Sequence, residues 1–374
     1  MGKWTGSLES VGIMLDFDFY KDKKVLITGH TGFKGAWLTA ILLSAGAKVT
    51  GYSLEAPTDP SLFELTGLGS KIRSVIGDVR DYDKLKAVFD EERPQIVFHL
   101  AAQPIVRKSY DEPRLTFDTN VMGTVNVLEC VRLTDSVKSF LNVTTDKVYL
   151  NRDDDIAFTE DMMLDGYDPY SNSKSCSELV THSYVKSFFS EASSPAVSTA
   201  RAGNVIGGGD FAEDRIIPDC VRAALSGKEI IIRNPKATRP FQHVLEPLWV
   251  YLEIAEKQMK DRIYAGYYNV GPDITDTKTA GELAQMFCDE WGDSLRWVDK
   301  SDGGPHEAAF LKLDCSKLKK SFGWKSVWHI DRAVQETVNW SRAYASGEDV
   351  MAEMMREIAE YRIDAEDNES RLKG

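Results

Sequence analysis

Apolar positions along the chain follow two alternating rhythms. Short, nearly unbroken apolar runs at Val25–Thr28, Lys48–Ser53, Ser74–Gly77, Ile96–Leu100 and Phe140–Thr144 read as strands buried on both faces. Between them, apolar residues recur at helical spacing over Ala36–Ser44, stopped at Gly46, and over Tyr82–Glu92, opened by Asp81 as N-cap. A third such stretch surrounds Val121–Leu133. Strands joined by helices of this length form βαβ units, so the pattern predicts an α/β fold built on a doubly wound parallel sheet.

After Asn204 the rhythm loosens. Helices are expected over Ile217–Leu225, Pro247–Met259, Ala280–Glu290 and Asp331–Tyr344, with a strand at Ile230–Arg233. The run Gly266–Val270 can return to the first sheet as its last strand. The division expected is a lead-in over residues 1–20 and a first domain over 21–203 plus about 241–271. A smaller C-terminal α/β lobe takes 204–240 and 272–345, and a polar tail over 346–374 forms a surface helix. Met14 offers a second possible start, which would make residues 1–13 an extension.

Charge narrows the partners. Lys and Arg number 45 against 58 Asp and Glu, a formal net charge of −13, which speaks against nucleic acid or an anionic membrane as partner. The five cysteines never form a CxxC pair, which fits a reducing, cytoplasmic setting without a disulfide framework or zinc knuckle. No apolar run approaches the roughly 20 residues of a membrane span, and the first residues lack a secretory signal's apolar stretch. No HxH or HxxxH spacing occurs, so no metal is expected.

Directly after the first strand stands Gly29-His30-Thr31-Gly32-Phe33-Lys34-Gly35, opening a helix. Gly29 allows the tight turn, Gly32 lets backbone approach a pyrophosphate, and Gly35 lets helix pack on strand. The helix N-terminus then offers N–H groups to phosphate, with His30 and Lys34 as added side-chain donors. This predicts a Rossmann-type dinucleotide site. The acidic residue usual at the end of the second strand is displaced to Glu55, and no arginine replaces it, so NAD is favoured over NADP.

Strand five ends in Thr144-Thr145-Asp146-Lys147-Val148-Tyr149, and Tyr170-Ser-Asn-Ser-Lys174 opens a later helix after Pro169. Tyr170 and Lys174 share one helical face, where an ammonium can lower a phenol's pKa so that the tyrosine acts as a base. Glycine loop, strand-end threonine and YxxxK in this order resemble the extended short-chain dehydrogenase/reductase family. The resemblance implies NAD held also by Asp78, Val79, Leu100, Ala101 and Ala102, with Tyr170 and Lys174 reaching the nicotinamide and Thr145 orienting the substrate hydroxyl. The Thr145-Asp146-Lys147 segment resembles nucleotide-sugar 4,6-dehydratases of the cytidine type. That implies CDP-glucose as substrate, Asp146 as acid and Lys147 as base in loss of water.

Beyond the sheet, Asn204, Arg215, Arg233 and Arg239 are candidates for a substrate diphosphate, arginine's planar fork matching phosphate bidentately. The same family resemblance adds Gln103, Arg107 and His306 as substrate contacts, and implies a homodimer through a four-helix bundle that includes the Tyr170–Ser187 helix, with a tetramer as the alternative. The residues by themselves leave open a 4-epimerase, a dehydratase of another nucleotide sugar, or a non-catalytic dinucleotide sensor. His99 reads as a packed structural histidine, and Trp328, Trp340, Met351, Met354 and Met355 as packing residues.

Overall fold

The computed structural model describes residues 15–292, 294–300 and 310–373. Seven parallel strands form its central sheet: β1 (Lys24–Thr28), β2 (Lys48–Ser53), β3 (Arg73–Ile76), β4 (Ile96–His99), β5 (Ser139–Val143), β6 (Ala196–Ala202) and β7 (Tyr267–Val270). Their order across the sheet is β7-β6-β5-β4-β1-β2-β3. The order reverses between β1 and β4, and such a switch point opens a crevice at the carboxyl ends of the strands. The Gly266–Val270 run does return to the sheet, pairing Tyr267–Val270 with Thr199–Ala202.

Two apolar layers cover the sheet. On one face lie the helices Phe33–Ser44 and Leu245–Lys260, contributing Trp37, Ile41, Leu248 and Tyr251. On the other, Tyr82–Glu92 and Gly123–Arg132 bring Leu85, Phe89, Val127 and Leu128 onto Val97 and Phe140. A third core unites Ile217, Ile230, Leu283, Phe287 and Val334. It belongs to a smaller α/β lobe in which Ile230–Ile232 pairs with Trp297–Asp299 and Thr238–Arg239 with Lys278–Thr279. The strand Trp297–Asp299, too short and mixed in polarity for a periodicity reading, is new.

Two expectations change. The lead-in joins the core from Leu15 onward: Asp16 caps the short helix Phe17–Tyr20, and Leu15, Phe17 and Tyr20 are buried. The tail is not a surface helix. Helix Val350–Lys373 buries Val350, Met354, Glu357, Ile358 and Tyr361 against the helix Phe33–Ser44 and Trp328. Its polar composition hid an apolar stripe at helical spacing. The extension proposed for residues 1–13 lies outside the described residues.

Candidate active site

The glycine loop follows β1 at the switch point. Gly29 has a left-handed φ of 82°, and a Cβ there would stand 2.7 Å from Ala101 N. At Gly35 a Cβ would collide with Gly29 O and come within 2.7 Å of His30 Cα. Gly32 differs: a Cβ would meet only Gly29 O at 3.5 Å, so space lies open before the helix it caps. No side chain caps that helix, and its first N–H groups have no acceptor inside the helix. Half-buried Phe33 and Lys34 begin it, with Leu100, Ala101 and Ala102 alongside after β4. An open, uncapped helix N-terminus lined by close-packed glycines fits a dinucleotide pyrophosphate.

Some of the expected cofactor contacts are spent elsewhere. His30 turns into the protein, its Nε2 lying 2.7 Å from Ser74 Oγ, and burial pushes its pKa down to about 4. It is a packed residue rather than a phosphate donor. Val79 is buried in the core below the helix Gly123–Arg132. Asp78 stands at the end of β3 but pairs with Arg80, 2.6 Å away. At the end of β2, Thr31 Oγ1 lies 2.9 Å from Ser53 Oγ, while Glu55 is exposed beyond it. Lys34 faces the catalytic groups: burial, Arg215, Lys174 and Lys147 push its pKa down to about 7 against the pull of Asp146.

The catalytic candidates do converge. Thr145 ends β5, and its Oγ1 donates to Asp146 Oδ1 at 3.0 Å. Lys147 Nζ donates to the same oxygen at 2.9 Å and to Asn204 Oδ1 at 3.1 Å. The other Asp146 oxygen is buried and has no partner among the described residues. Tyr170 and Lys174 lie on the helix Pro169–Phe188, which Asp168 caps. Burial pushes the Tyr170 phenol up to about 12, Thr145 and Arg215 opposing and Asp146 reinforcing. Lys174 Nζ donates to Val143 O at 2.9 Å, and burial pushes its pKa down to about 8. His99 packs as expected, Nδ1 2.7 Å from Thr28 Oγ1.

Between the sheet and the smaller lobe, the substrate arginines gather around carboxylates. Asp214 Oδ1 lies 2.6 Å from Arg233 Nη1 and 4.0 Å from Arg107 Nε, and Arg215 pairs with Asp210 at 2.9 Å. Arg239 is buried on its short strand, donating to Thr238 O. Gln103 is a correction. Its amide donates to Ile105 O and Thr116 Oγ1 and accepts from Ile105 N, which builds the loop after β4 instead of facing a ligand. His306 lies outside the described residues. Sequence reasoning passed over Asp210, Asp214 and Arg80, whose roles arise only from folding. It also passed over Glu178, although Tyr170, Lys174, Glu178 and His182 recur every fourth residue on one helix.

A family profile described as GDP-mannose 4,6 dehydratase matches residues 26–337. The CDP-glucose 4,6-dehydratase of Salmonella typhimurium is 45% identical over 353 residues, 93% of this chain and 98% of that protein. The dTDP-glucose 4,6-dehydratase of Xanthomonas campestris is 28% identical, covering 84% of this chain and 92% of that protein. Among solved structures, dTDP-glucose 4,6-dehydratase from Bacillus anthracis in complex with NAD superimposes with a TM-score of 0.71 at 23% identity, covering 87% of this chain and 98% of that one. A UDP-N-acetylglucosamine 4-epimerase from Methanobrevibacter ruminantium gives 0.75 at 22% identity, covering 87% and 99%. The last two likenesses speak for the fold alone. Profile and close relative both run through the glycine loop, the Thr145–Lys147 segment and the smaller lobe, and so the chain belongs to the GDP-mannose 4,6 dehydratase family.

Proposed function

We propose that this chain is an NAD-dependent nucleotide-sugar 4,6-dehydratase that converts CDP-D-glucose to CDP-4-dehydro-6-deoxy-D-glucose and water. The observation that carries the reading is the union of Tyr170, Thr145, Asp146 and Lys147 at the end of β5, in a chain 45% identical to a CDP-glucose 4,6-dehydratase. An epimerase needs no acid and base at the far end of the sugar, and the pairing of Asp146 with Lys147 beside Thr145 supports an elimination instead.

NAD, when bound, would supply the hydride acceptor for C4 and the hydride donor for C6. The glycine loop, Lys34 and the Leu100–Ala102 turn would hold it. Tyr170 takes the proton from the C4 hydroxyl, with Thr145 orienting that hydroxyl and Lys174 supplying positive charge behind it. The resulting ketone acidifies C5–H. Lys147 removes the C5 proton while Asp146 protonates the departing C6 hydroxyl, which leaves as water, and a proton returns to C5 as C6 is reduced. Arg107, Arg215, Arg233 and Arg239, with Asn204, take the diphosphate and sugar.

The wider proposal is a cytoplasmic enzyme, divided between a dinucleotide domain (21–203 with about 241–271) and a substrate lobe (204–240 with 272–345). Leu179 and Phe188 on the catalytic helix and Met122 and Leu133 nearby leave apolar side chains exposed, which supports a dimer through these helices. No helix among the described residues is long and apolar enough to cross a membrane. Parallel incubation with CDP-, dTDP-, UDP- and GDP-linked hexoses, read by the base-induced ultraviolet absorbance of a 4-keto sugar, tests the reading. A strong signal with CDP-glucose is expected. A C4-inverted sugar with no keto product would make the enzyme an epimerase instead.

A further inference from the structure

Glu178 is fully buried one helical turn beyond Lys174, and nothing in the reaction so far uses it. Its carboxylate is richly held. Arg201 Nε donates to Oε1 at 3.1 Å and Nη2 to Oε2 at 3.0 Å, Thr199 Oγ1 donates to Oε2 at 2.8 Å, and Thr144 Oγ1 donates to Oε1 at 2.5 Å. His182 Nε2 lies 3.3 Å from Oε2. Arg201 is in turn fastened to Tyr149 OH and Glu160 O. One carboxylate thus ties the catalytic helix to the end of β5, immediately before Thr145, and to β6.

We propose that Glu178 is a positioning residue of the reaction: it fixes the Thr144–Thr145 strand end against the catalytic helix and supplies the negative field that keeps the Lys174 ammonium charged. The surroundings of Lys174 support the second role. From β4, His99 is held neutral by burial, which pushes it down to about 3. From β5 comes only the neutral carbonyl of Val143. Lys34, on the helix Phe33–Ser44, brings positive charge, and Tyr170, on the catalytic helix with Lys174, is a neutral phenol. Against burial, Glu178, one helical turn away, is the group that raises the Lys174 pKa among the described residues. Burial would protonate Glu178 itself, but His182, Arg201 and Thr144 hold it down to about 2, so its charge persists at working pH. A buried ion pair can be merely structural, and the experiment must separate the two roles.

The proposal rests on Tyr170 and Lys174 performing the C4 oxidation, so its test begins with a readout that needs no substrate. Titration of Lys174 by NMR of carbon-13-labelled lysine methylenes, assigned through Lys174→Met, gives its pKa in the resting enzyme. In Glu178→Gln, which keeps shape and an oxygen for Thr144, that pKa should drop by on the order of one unit. In Glu178→Asp it should stay near the wild-type value. The alkaline limb of kcat/KM for CDP-glucose should move down with it. An unchanged Lys174 pKa with only a lower melting temperature overturns the proposal. Loss of the limb shift alone, because no sugar nucleotide turns over even in wild type, instead strikes at the function reading. If Glu178→Gln does not fold, Thr144→Val decides: kcat should fall about tenfold at unchanged NAD affinity, and an unaltered kcat sinks the idea.

Discussion

Lys34 makes dinucleotide binding a proton-linked event. In the cofactor-free chain its pKa stands at about 7, because it is buried among Arg215, Lys174 and Lys147. A pyrophosphate docking at the helix N-terminus brings negative charge to the same spot and restores the ammonium towards its ordinary 10.5. The pKa is thus higher in the complex than in the free protein, so binding takes up a proton at any pH between the two values. Below about 7 the amine is charged in both states and affinity is flat. Above it, affinity falls roughly tenfold per pH unit, and about 0.9 proton is taken up at pH 8. Calorimetric NAD titrations in buffers of different ionisation enthalpy read that number directly. In Lys34→Met the uptake should vanish and the pH dependence flatten, with weaker binding below pH 7. No proton uptake by wild type at pH 8, or equal uptake in Lys34→Met, would refute the reasoning.

Other outcomes follow from the same geometry. Tyr170→Phe keeps the buried ring and should cost about 10²- to 10⁴-fold in kcat at unchanged NAD affinity; wild-type turnover would remove the phenol from the reaction. Lys147→Met should allow C4 oxidation yet block loss of water, so that enzyme-bound NADH absorbance accumulates with little keto product. Product formed at the normal rate would send the search for the C5 base elsewhere. Gly35→Ala drives a methyl into Gly29 O and should abolish NAD binding, whereas normal affinity would mean the loop relaxes freely. Met354→Ala, at a fully buried position, should cost about 2–5 kcal/mol in chemical denaturation. A change near zero would return the last helix to the surface.

The sheet was legible because parallel strands buried on both faces announce themselves as apolar runs, and the glycine loop because its spacing has a steric reason. Tyr170, Lys174, Thr145, Asp146 and Lys147 were legible as one set because strand-end and helix-start positions bring them together once the βαβ order is known. What escaped shares a physical cause. His30 was read as a ligand contact from its place in the glycine loop and Gln103 from family resemblance, yet the partners that occupy them, Ser74 and Thr116, lie on a distant strand and on the helix Pro113–Phe117. The same applies to Asp214, whose partners Arg107 and Arg233 come from opposite sides of the cleft. The last helix escaped because charged residues outnumber its apolar stripe, and stripe position, not composition, decides burial.

That last helix also bears on how the protein is made. The helix Phe33–Ser44, which follows the dinucleotide loop, leaves the ribosome early, while Met354, Ile358 and Tyr361, which join the same apolar core, are made much later. Domains tend to fold from the N-terminus during synthesis. Here the first layer must wait, with Trp249 lacking the ring of Tyr361, until the chain has grown past the helix Val350–Lys373. A chain that stops before Met354 therefore presents an apolar surface to chaperones, and truncation there yields an aggregating product rather than a trimmed enzyme.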